Sequence, residues 1–178
     1  PVYFIDFRAT YKENVLAKLE RLLAQAGLGD RIKKRELAAI KLHFGELGNT
    51  AFIRPVYIRQ IVSEVKATGA FPFLTDANTL YAGTRGNAQN HLTTAIQNGF
   101  AYAVVEAPIG IADGLRGKSE TVVPIHGKQF KEVYIASEIA NADAYISVAH
   151  FKGHELSGYG GAIKNTGMGC ASRRGKME

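Results

Sequence analysis

The sequence has a single cysteine, Cys170, and it lacks any long apolar run. One cysteine excludes an internal disulfide. It also cannot hold an iron–sulfur cluster by itself, because such clusters usually take four cysteine ligands. No apolar stretch approaches the ~20 residues that a membrane-spanning helix needs, and the first residues do not show the basic-then-apolar pattern of a signal peptide. Together these features predict a protein of the reducing cytoplasm that has no membrane partner.

A strong excess of one charge is also missing. The chain has 22 Lys and Arg against 16 Asp and Glu, a formal charge of +6. The basic residues are densest at 31–35 and 173–176, but basic patches alone are weak evidence for a nucleic-acid site. No predicted strand interleaves aromatic with basic side chains, so a nucleic-acid partner is not expected. The remaining alternatives are a solvated basic surface and a site for an anionic small molecule.

The length and composition suit one compact unit. With 178 residues, 46% of them hydrophobic, the chain can bury one sizeable core. We therefore predict a single α/β domain over residues 1–178. The sequence begins at Pro1 rather than Met and ends at Glu178 without a terminating pattern, so we also expect a fragment of a longer chain.

Strand and helix patterns alternate along the sequence at least three times. The predicted strands are 2–7, 37–44, 71–75, 102–105, 122–125, 132–136 and 144–148, and the predicted helices are 14–26, 55–69, 87–97 and 137–141. Residues 158–168 are rich in glycine and fit either a helix or an extended loop. This alternation predicts a layered α/β fold, with a mainly parallel sheet and helices on its faces.

Polar side chains follow three of the predicted strands. In order along the chain they are His43, Glu46 and Asn49, then Asp76, Asn78 and the later Arg85, and finally His150, Lys152, His154 and Glu155. Ligands of open α/β sheets bind outside the carboxyl ends of the strands. If the strands run parallel, we therefore expect these groups to meet at one edge of the sheet.

The histidines offer two interpretations. Imidazole suits zinc, iron or nickel, so His150 and His154, with His43 as a third partner, form a predicted metal site. Alternatively, one of the first two hydrogen-bonds a ligand and the other is an ordinary loop residue. A histidine at the site could also serve as a general base, because its pKa lies near neutrality.

The segment 157–164 resembles a turn that cradles phosphate, but it does not match the nucleotide-hydrolase pattern. Backbone N–H groups of such a turn can hold an anion. Lys164 can pair with that anion, act as a nucleophile if burial lowers its pKa, or be an ordinary surface lysine. We predict His150, His154 and Lys164 as catalytic residues. The predicted cofactor-binding residues are Asp76, Asn78, Lys152, Gly160, Gly161, Lys164 and Asn165.

Four motifs together resemble a bacterial and archaeal family of domains of unknown function. They read KLHFGELGN from Lys41, FLTDANT from Phe73, HFKGH from His150 and GGAIKNTGMGC from Gly160. Members of that family are often described as uncharacterised iron–sulfur center proteins. The resemblance implies a redox-associated role, although a cluster here would need cysteines beyond this sequence.

A second resemblance is local. Residues 157–164, SGYGGAIK, are similar to the SGG-x-K turn of the lactate-racemase family. In that family the lysine carries a nickel-pincer nucleotide, and nearby histidines bind nickel or move protons. The resemblance implies that Lys164 is the attachment point, with His150 or His154 near the metal.

These observations favour two classes of function rather than one named reaction. The first hypothesis is a redox-associated enzyme that binds a metal or an anionic, nucleotide-type cofactor at the strand ends. The second is a binding module without chemistry that docks a ferredoxin-like protein, attracted by a basic face near Arg173 and Arg174.

Overall fold

The computed structural model describes residues 1–155 and 157–178. The helices are α1 (Val15–Gln25), α2 (Leu28–Arg31), α3 (Pro55–Ala67), α4 (Ala88–Gln97), α5 (Tyr102–Val105), α6 (Ser137–Ala140) and α7 (Ala162–Gly167). The strands are β1 (Leu37–Lys41), β2 (Phe71–Asp76), β3 (Ile109–Ile111), β4 (Glu120–Pro124), β5 (Glu132–Ala136), β6 (Ala144–Ser147), β7 (Lys152–His154) and β8 (Gly158–Gly160).

A four-stranded sheet in the order β3-β2-β1-β6 organises the fold. All three of its pairings are parallel. In the central pair Leu37 lies opposite Phe71 and Lys41 lies opposite Thr75, so β1 and β2 end at nearly the same level. The predicted α/β class, with a parallel sheet flanked by helices, is confirmed. The carboxyl ends of these strands define one common edge.

The main core lies between this sheet and its helices. Its fully enclosed side chains include Ile40, Leu42, Phe44, Ile58 and Leu74. The apolar stripe of α3 faces the sheet, as a helix with apolar residues three and four positions apart should. α1 packs on the outside of this layer through Leu19 and Leu23, which are only partly buried.

The helix beginnings follow local sequence signals. The side chain of Asn14 accepts hydrogen bonds from the backbone N–H groups of Leu16 and Ala17, and Asn87 caps α4 in the same way. Pro55 occupies the first turn of α3, where its missing N–H is no loss. These three predicted helices are therefore found within a few residues of their expected limits.

Two small antiparallel ribbons complete the structure. β4 pairs with β5, and β7 pairs with β8 in a hairpin just after the main sheet. In that hairpin Lys152 lies opposite Gly160 and His154 lies opposite Gly158. The hairpin leads directly into α7, so the ambiguous segment 158–168 contains a short strand followed by a helix.

Two predicted strands are wrong. Residues 2–7 form no strand, and Val2, Phe4 and Phe7 are largely exposed. Residues 102–105 form the short helix α5, which is followed by Glu106 in the left-handed region at φ 59°. In both segments β-branched and aromatic residues suggested a strand, but strand propensity depends on neighbours in a sheet.

Among the described residues, no helix combines the length and the apolar character needed to cross a membrane.

Candidate anion site at the sheet edge

A buried lysine ends the central strand. Lys41 is the last residue of β1 and Asp76 is the last residue of β2, and both side chains are almost fully enclosed. Lys41 Nζ lies 2.9 Å from Asp76 Oδ1. Burial alone would raise the pKa of Asp76, but the Lys41 ammonium and other neighbouring cationic groups outweigh it and hold that pKa well below its usual range. A buried charge is tolerated in this way only when it is paired.

Arg85 links this pair to the loop that follows β1. Its guanidinium lies 3.1 Å from Asp76 Oδ2 through Nη1 and 2.5 Å from Glu46 Oε1 through Nη2. Nη2 also donates to the hydroxyl of Tyr81 at 2.6 Å. The planar fork of arginine suits such convergent acceptors. Arg85 is 3% exposed, so its position is set by these contacts.

His43 joins the same network from the exit of β1. Its Nε2 is 3.0 Å from Arg85 Nη2, and its Nδ1 accepts from the backbone N–H of Gly45 at 2.9 Å. Burial, followed by the charge of Arg85, lowers the pKa of His43 to about 3. His43 is therefore neutral near pH 7, and a neutral ring has only one acceptor nitrogen. The two contacts cannot both be hydrogen bonds in one tautomer.

Asn165 fixes α7 against the sheet. Its Oδ1 accepts from Lys41 Nζ at 2.7 Å, and its Nδ2 donates to Ser147 Oγ at 2.9 Å. One amide therefore joins the ends of β1 and β6 to the helix. Gly169 completes this junction, because a Cβ there would lie 2.3 Å from Lys41 Nζ.

Lys152 and Lys164 are the cations left without acidic partners. Within the described part of the chain, neither ammonium forms a salt bridge or a hydrogen bond. The pKa of Lys152 is lowered by partial burial, then by Arg85 and Lys164, while the charges of Glu46 and Asp76 oppose this shift without forming an ion pair with Lys152. The pKa of Lys164 is lowered by partial burial, then by Arg85 and Lys41. Because each lysine interacts electrostatically with the buried cations, both belong to the neighbourhood of Arg85.

The structure thus joins several predicted site residues but not all. His43, Asp76 and Asn165 share one network, and Lys152 and Lys164 border it. Asn78 is fully buried and donates to Asp113 Oδ1 and to the carbonyl of Gly114, so its side chain serves an internal turn.

The remaining predicted residues lie on the hairpin and its approaches. His150 is exposed. His154 is half-buried, and its Nδ1 accepts from the backbone N–H of Ser157 at 3.2 Å. Gly160 is buried, and Gly161 precedes the first turn of α7 with extended backbone. Their catalytic and cofactor-binding roles remain predictions.

The metal prediction gains no support from this geometry. Over residues 1–155 and 157–178, no group of three or more His, Cys, Asp or Glu is arranged to hold a metal ion. Arg85 occupies the space in front of His43 Nε2. An iron–sulfur cluster does not fit the donor set either, because Cys170 is the chain's one cysteine and its thiol is buried beside the Tyr145 hydroxyl at 3.2 Å.

Sequence reasoning missed Lys41, Tyr81 and Lys176. Lys176 Nζ donates to the carbonyl of Asn78 at 2.7 Å and closes the back of the same region. Only Lys41 had a visible signal: it is a charged residue within the apolar run 37–44, where an unpaired charge would be unstable. The partners of Tyr81 and Lys176 depend on loop paths that periodicity does not reveal.

The charged network lies at the edge of the sheet, apart from two surface hollows of the protein. A surface hollow of about 380 Å³ lies elsewhere, beside Leu37, Phe73 and α6, and is lined mostly by apolar atoms. A second hollow of about 420 Å³ lies between α1, α2 and α3. Neither hollow is lined by a residue of the charged network. The candidate site is therefore assigned from the chemistry of its side chains.

Comparison with known proteins gives one family. Neither a curated protein nor a solved structure matches the chain. The family model described as Domain of unknown function (DUF362) matches residues 38–178. The match includes every residue of the charged network, from Lys41 to Lys176, and most of the sequence. The chain is therefore a member of the DUF362 family.

Proposed function

We propose that this domain binds an anionic small molecule at the carboxyl edge of its parallel sheet. The observation that carries the proposal is the pair of lysines, Lys152 and Lys164, that lack acidic partners beside the buried guanidinium of Arg85. Cations that repel one another and are partly desolvated are stabilised by an anion placed between them. The ligand would be a substrate or an anionic, nucleotide-type cofactor of a redox-associated enzyme.

Lys164 has two possible roles at such a site. It pairs with the anion, or its unprotonated amine attacks an activated acyl carbon of the ligand and forms an amide, while the acyl group's leaving group departs with the amine proton. A lowered pKa favours the second role because it leaves more of the amine unprotonated. Covalent attachment of a cofactor at Lys164 belongs to the second role. Intact-mass measurement of protein purified from its native host separates the two, because attachment adds mass that Lys164→Arg abolishes.

Isothermal titration of the purified protein with sodium phosphate and sodium sulfate tests anion binding. We expect saturable binding that weakens at least about 10-fold, or about 1.4 kcal/mol, in Lys152→Gln and in Lys164→Gln. Lys128→Gln removes an exposed lysine of the β4–β5 loop and serves as the control. Equal binding by all four proteins would contradict the proposal.

A docking role for a ferredoxin-like protein is the second candidate. It is favoured by the exposed rings of Phe151 and Tyr159, whose centroids lie 5.4 Å apart. The basic face once expected near Arg173 and Arg174 contributes less. Arg173 donates to the carbonyl of Gly86, and Arg174 pairs with Glu178. Salt-sensitive binding of an acidic ferredoxin, weakened by Phe151→Ser, would support docking; no binding at low salt would reject it.

A further inference from the structure

The charges of the site can be counted from its contacts. Four cations lie at the edge of the sheet: Lys41, Arg85, Lys152 and Lys164. Two carboxylates face them, because Asp76 bridges Lys41 and Arg85 and Glu46 pairs with Arg85. The two buried cations are therefore balanced by two anions. The positive charges of Lys152 and Lys164 remain.

His43 and Tyr81, which also contact Arg85, do not change this count near pH 7. The pKa of His43 is lowered to about 3 by burial and by Arg85, so the ring is neutral. The pKa of Tyr81 is raised to about 12, mainly by burial, so the phenol is also neutral. His91 Nε2 lies 3.6 Å from Asp76 Oδ2, and the two side chains form an ion pair only when the His91 ring is protonated. Lys176, behind Asn78, interacts electrostatically with Asp113 first and then with Asp76, Lys41 and Arg85. Lys176 and Asp113 therefore add one charge of each sign to the region.

The hairpin brings the two uncompensated lysines to one place. Lys152 lies directly opposite Gly160 across the β7–β8 pair. The side chain of Lys164 crosses the same glycine, since a Cβ on Gly160 would lie 3.5 Å from Lys164 Cδ. Partner residues of an antiparallel pair lie about 5 Å apart at Cα. The Lys152 side chain, which starts from the hairpin, and the Lys164 side chain, which comes from α7, therefore lie over the same face of the hairpin and can reach one compact group.

From this count we infer that the site selects a group with two negative charges, such as a phosphate monoester or an inorganic oxyanion dianion, over a singly charged one. The inference rests on the proposed anion site and gives that site its ligand class. A monoanion such as a simple carboxylate leaves one ammonium uncompensated in a partly desolvated position, whereas a dianion neutralises both.

Sulfate and perchlorate test the inference, because they share a tetrahedral shape and differ by one charge. Titration of the full chain at constant ionic strength and neutral pH should show sulfate binding at least about 10-fold more tightly. Perchlorate is the more weakly hydrated ion and is easier to desolvate, so hydration works against the expected result. Inorganic phosphate should behave as sulfate does.

Variants complete the test. Lys152→Gln and Lys164→Gln each remove one uncompensated charge and should reduce the preference for sulfate to less than about 3-fold, whereas Lys128→Gln should leave it unchanged. Equal affinity for both ions in the unaltered protein would overturn the dianion inference and leave the anion site standing. If neither ion nor phosphate binds, the proposed function fails as well.

Discussion

At the scale of single residues, the site depends on a lysine that sits where an apolar residue is expected. Lys41 is 1% exposed and is stable there because Asp76, Asn165 and the carbonyl of Leu42 surround its ammonium. A buried pair of this kind is weak evidence for stability. It fixes where the neighbouring charges lie, which is what a binding site needs.

Gly169 should not tolerate a side chain. A Cβ at this position would lie 2.2 Å from the carbonyl oxygen of Asn165 and 2.3 Å from Lys41 Nζ. Gly169→Ala must therefore displace a buried ammonium or α7, and we expect a loss of roughly 1–3 kcal/mol in the free energy of unfolding. Urea denaturation measures this change.

Gly167→Ala is the matched control, because nothing lies within 4 Å of a Cβ there and the residue is helical. That substitution should be neutral or slightly stabilising. If the two variants have the same unfolding midpoint, the close packing around the Lys41 ammonium has no energetic weight.

His43 should make stability depend on pH. Its folded-state pKa of about 3 lies below the unfolded value, so between these values the unfolded chain binds the extra proton. Stability therefore falls as pH drops from about 6.5 toward about 3, by at most about 1.4 kcal/mol per pH unit from this residue. Urea titrations across this range should show a shallower decline for His43→Gln.

His126→Gln removes an exposed histidine outside the site and is the control. Carboxylates also lose stabilising charge at low pH, so the informative quantity is the difference between variant and unaltered protein. An identical decline for His43→Gln and the unaltered protein would show that the His43 ring is protonated equally well in both states.

Sequence alone could identify the strand-end residues but not their pairing. His43 and Asp76 follow apolar runs, and a parallel sheet brings such positions to one edge. Arg85, nine residues beyond Asp76, reaches back to it through an irregular loop. Its contacts with Glu46 and Tyr81 are set by that loop path, which carries no periodic pattern.

At the scale of elements, the Asn165 amide ties α7 to the sheet, alongside a hydrogen bond of 3.0 Å between the hydroxyls of Thr166 and Tyr145. Asn165→Ala removes one of the three partners of Lys41 Nζ and the donor to Ser147. Leaving buried polar groups unsatisfied costs about 1–3 kcal/mol each, so we expect lower stability and faster amide exchange within α7. Hydrogen–deuterium exchange measures the second effect directly.

Ile163→Ala alters the same helix at a position that is 90% exposed and should leave exchange nearly unchanged. Unchanged protection of α7 in Asn165→Ala would mean that the hairpin, rather than this amide, holds the helix in place.

The two wrong strand predictions have a common cause at this scale. Residues 2–7 alternate suitable side chains but have no neighbouring strand, and the edges of the main sheet are β3 and β6. Residues 102–105 lie between Phe100, which is buried, and Ala107, also buried, and the short connection is closed by a helical turn. Short apolar runs fit either structure, and the surrounding fold decides between them.

At the scale of the whole molecule, the family match begins at residue 38, but the core does not. Ile32 is buried, and Leu19, Leu23 and Leu28 pack against the same cluster. A chain lacking residues 1–36 should therefore lose several kcal/mol of stability, since a fully buried Ile contributes about 1.5–3 kcal/mol. Urea denaturation measures this loss of stability. If the shortened chain does not fold, the loss appears as a lower yield of soluble protein.

A chain lacking only residues 1–13 is the comparison. It loses the surface ion pairs of Lys18 with Asp6 and of Arg21 with Glu13, and the ring contact of Phe7 with Tyr57. Its stability should therefore change far less than that of the chain lacking residues 1–36. Equal stability of the two shortened chains would show that α1 and α2 are dispensable for the core.

The Asn165 amide also affects how much of the site a ligand must immobilise when it binds. Because α7 is already tied to two strands, the backbone beneath Lys164 is in place before anything binds. Only the flexible stem of the lysine is left to immobilise, at roughly 0.5–1.5 kcal/mol for one such side chain. Preorganisation of this kind lowers the entropic cost of holding a small anion at the edge of the sheet.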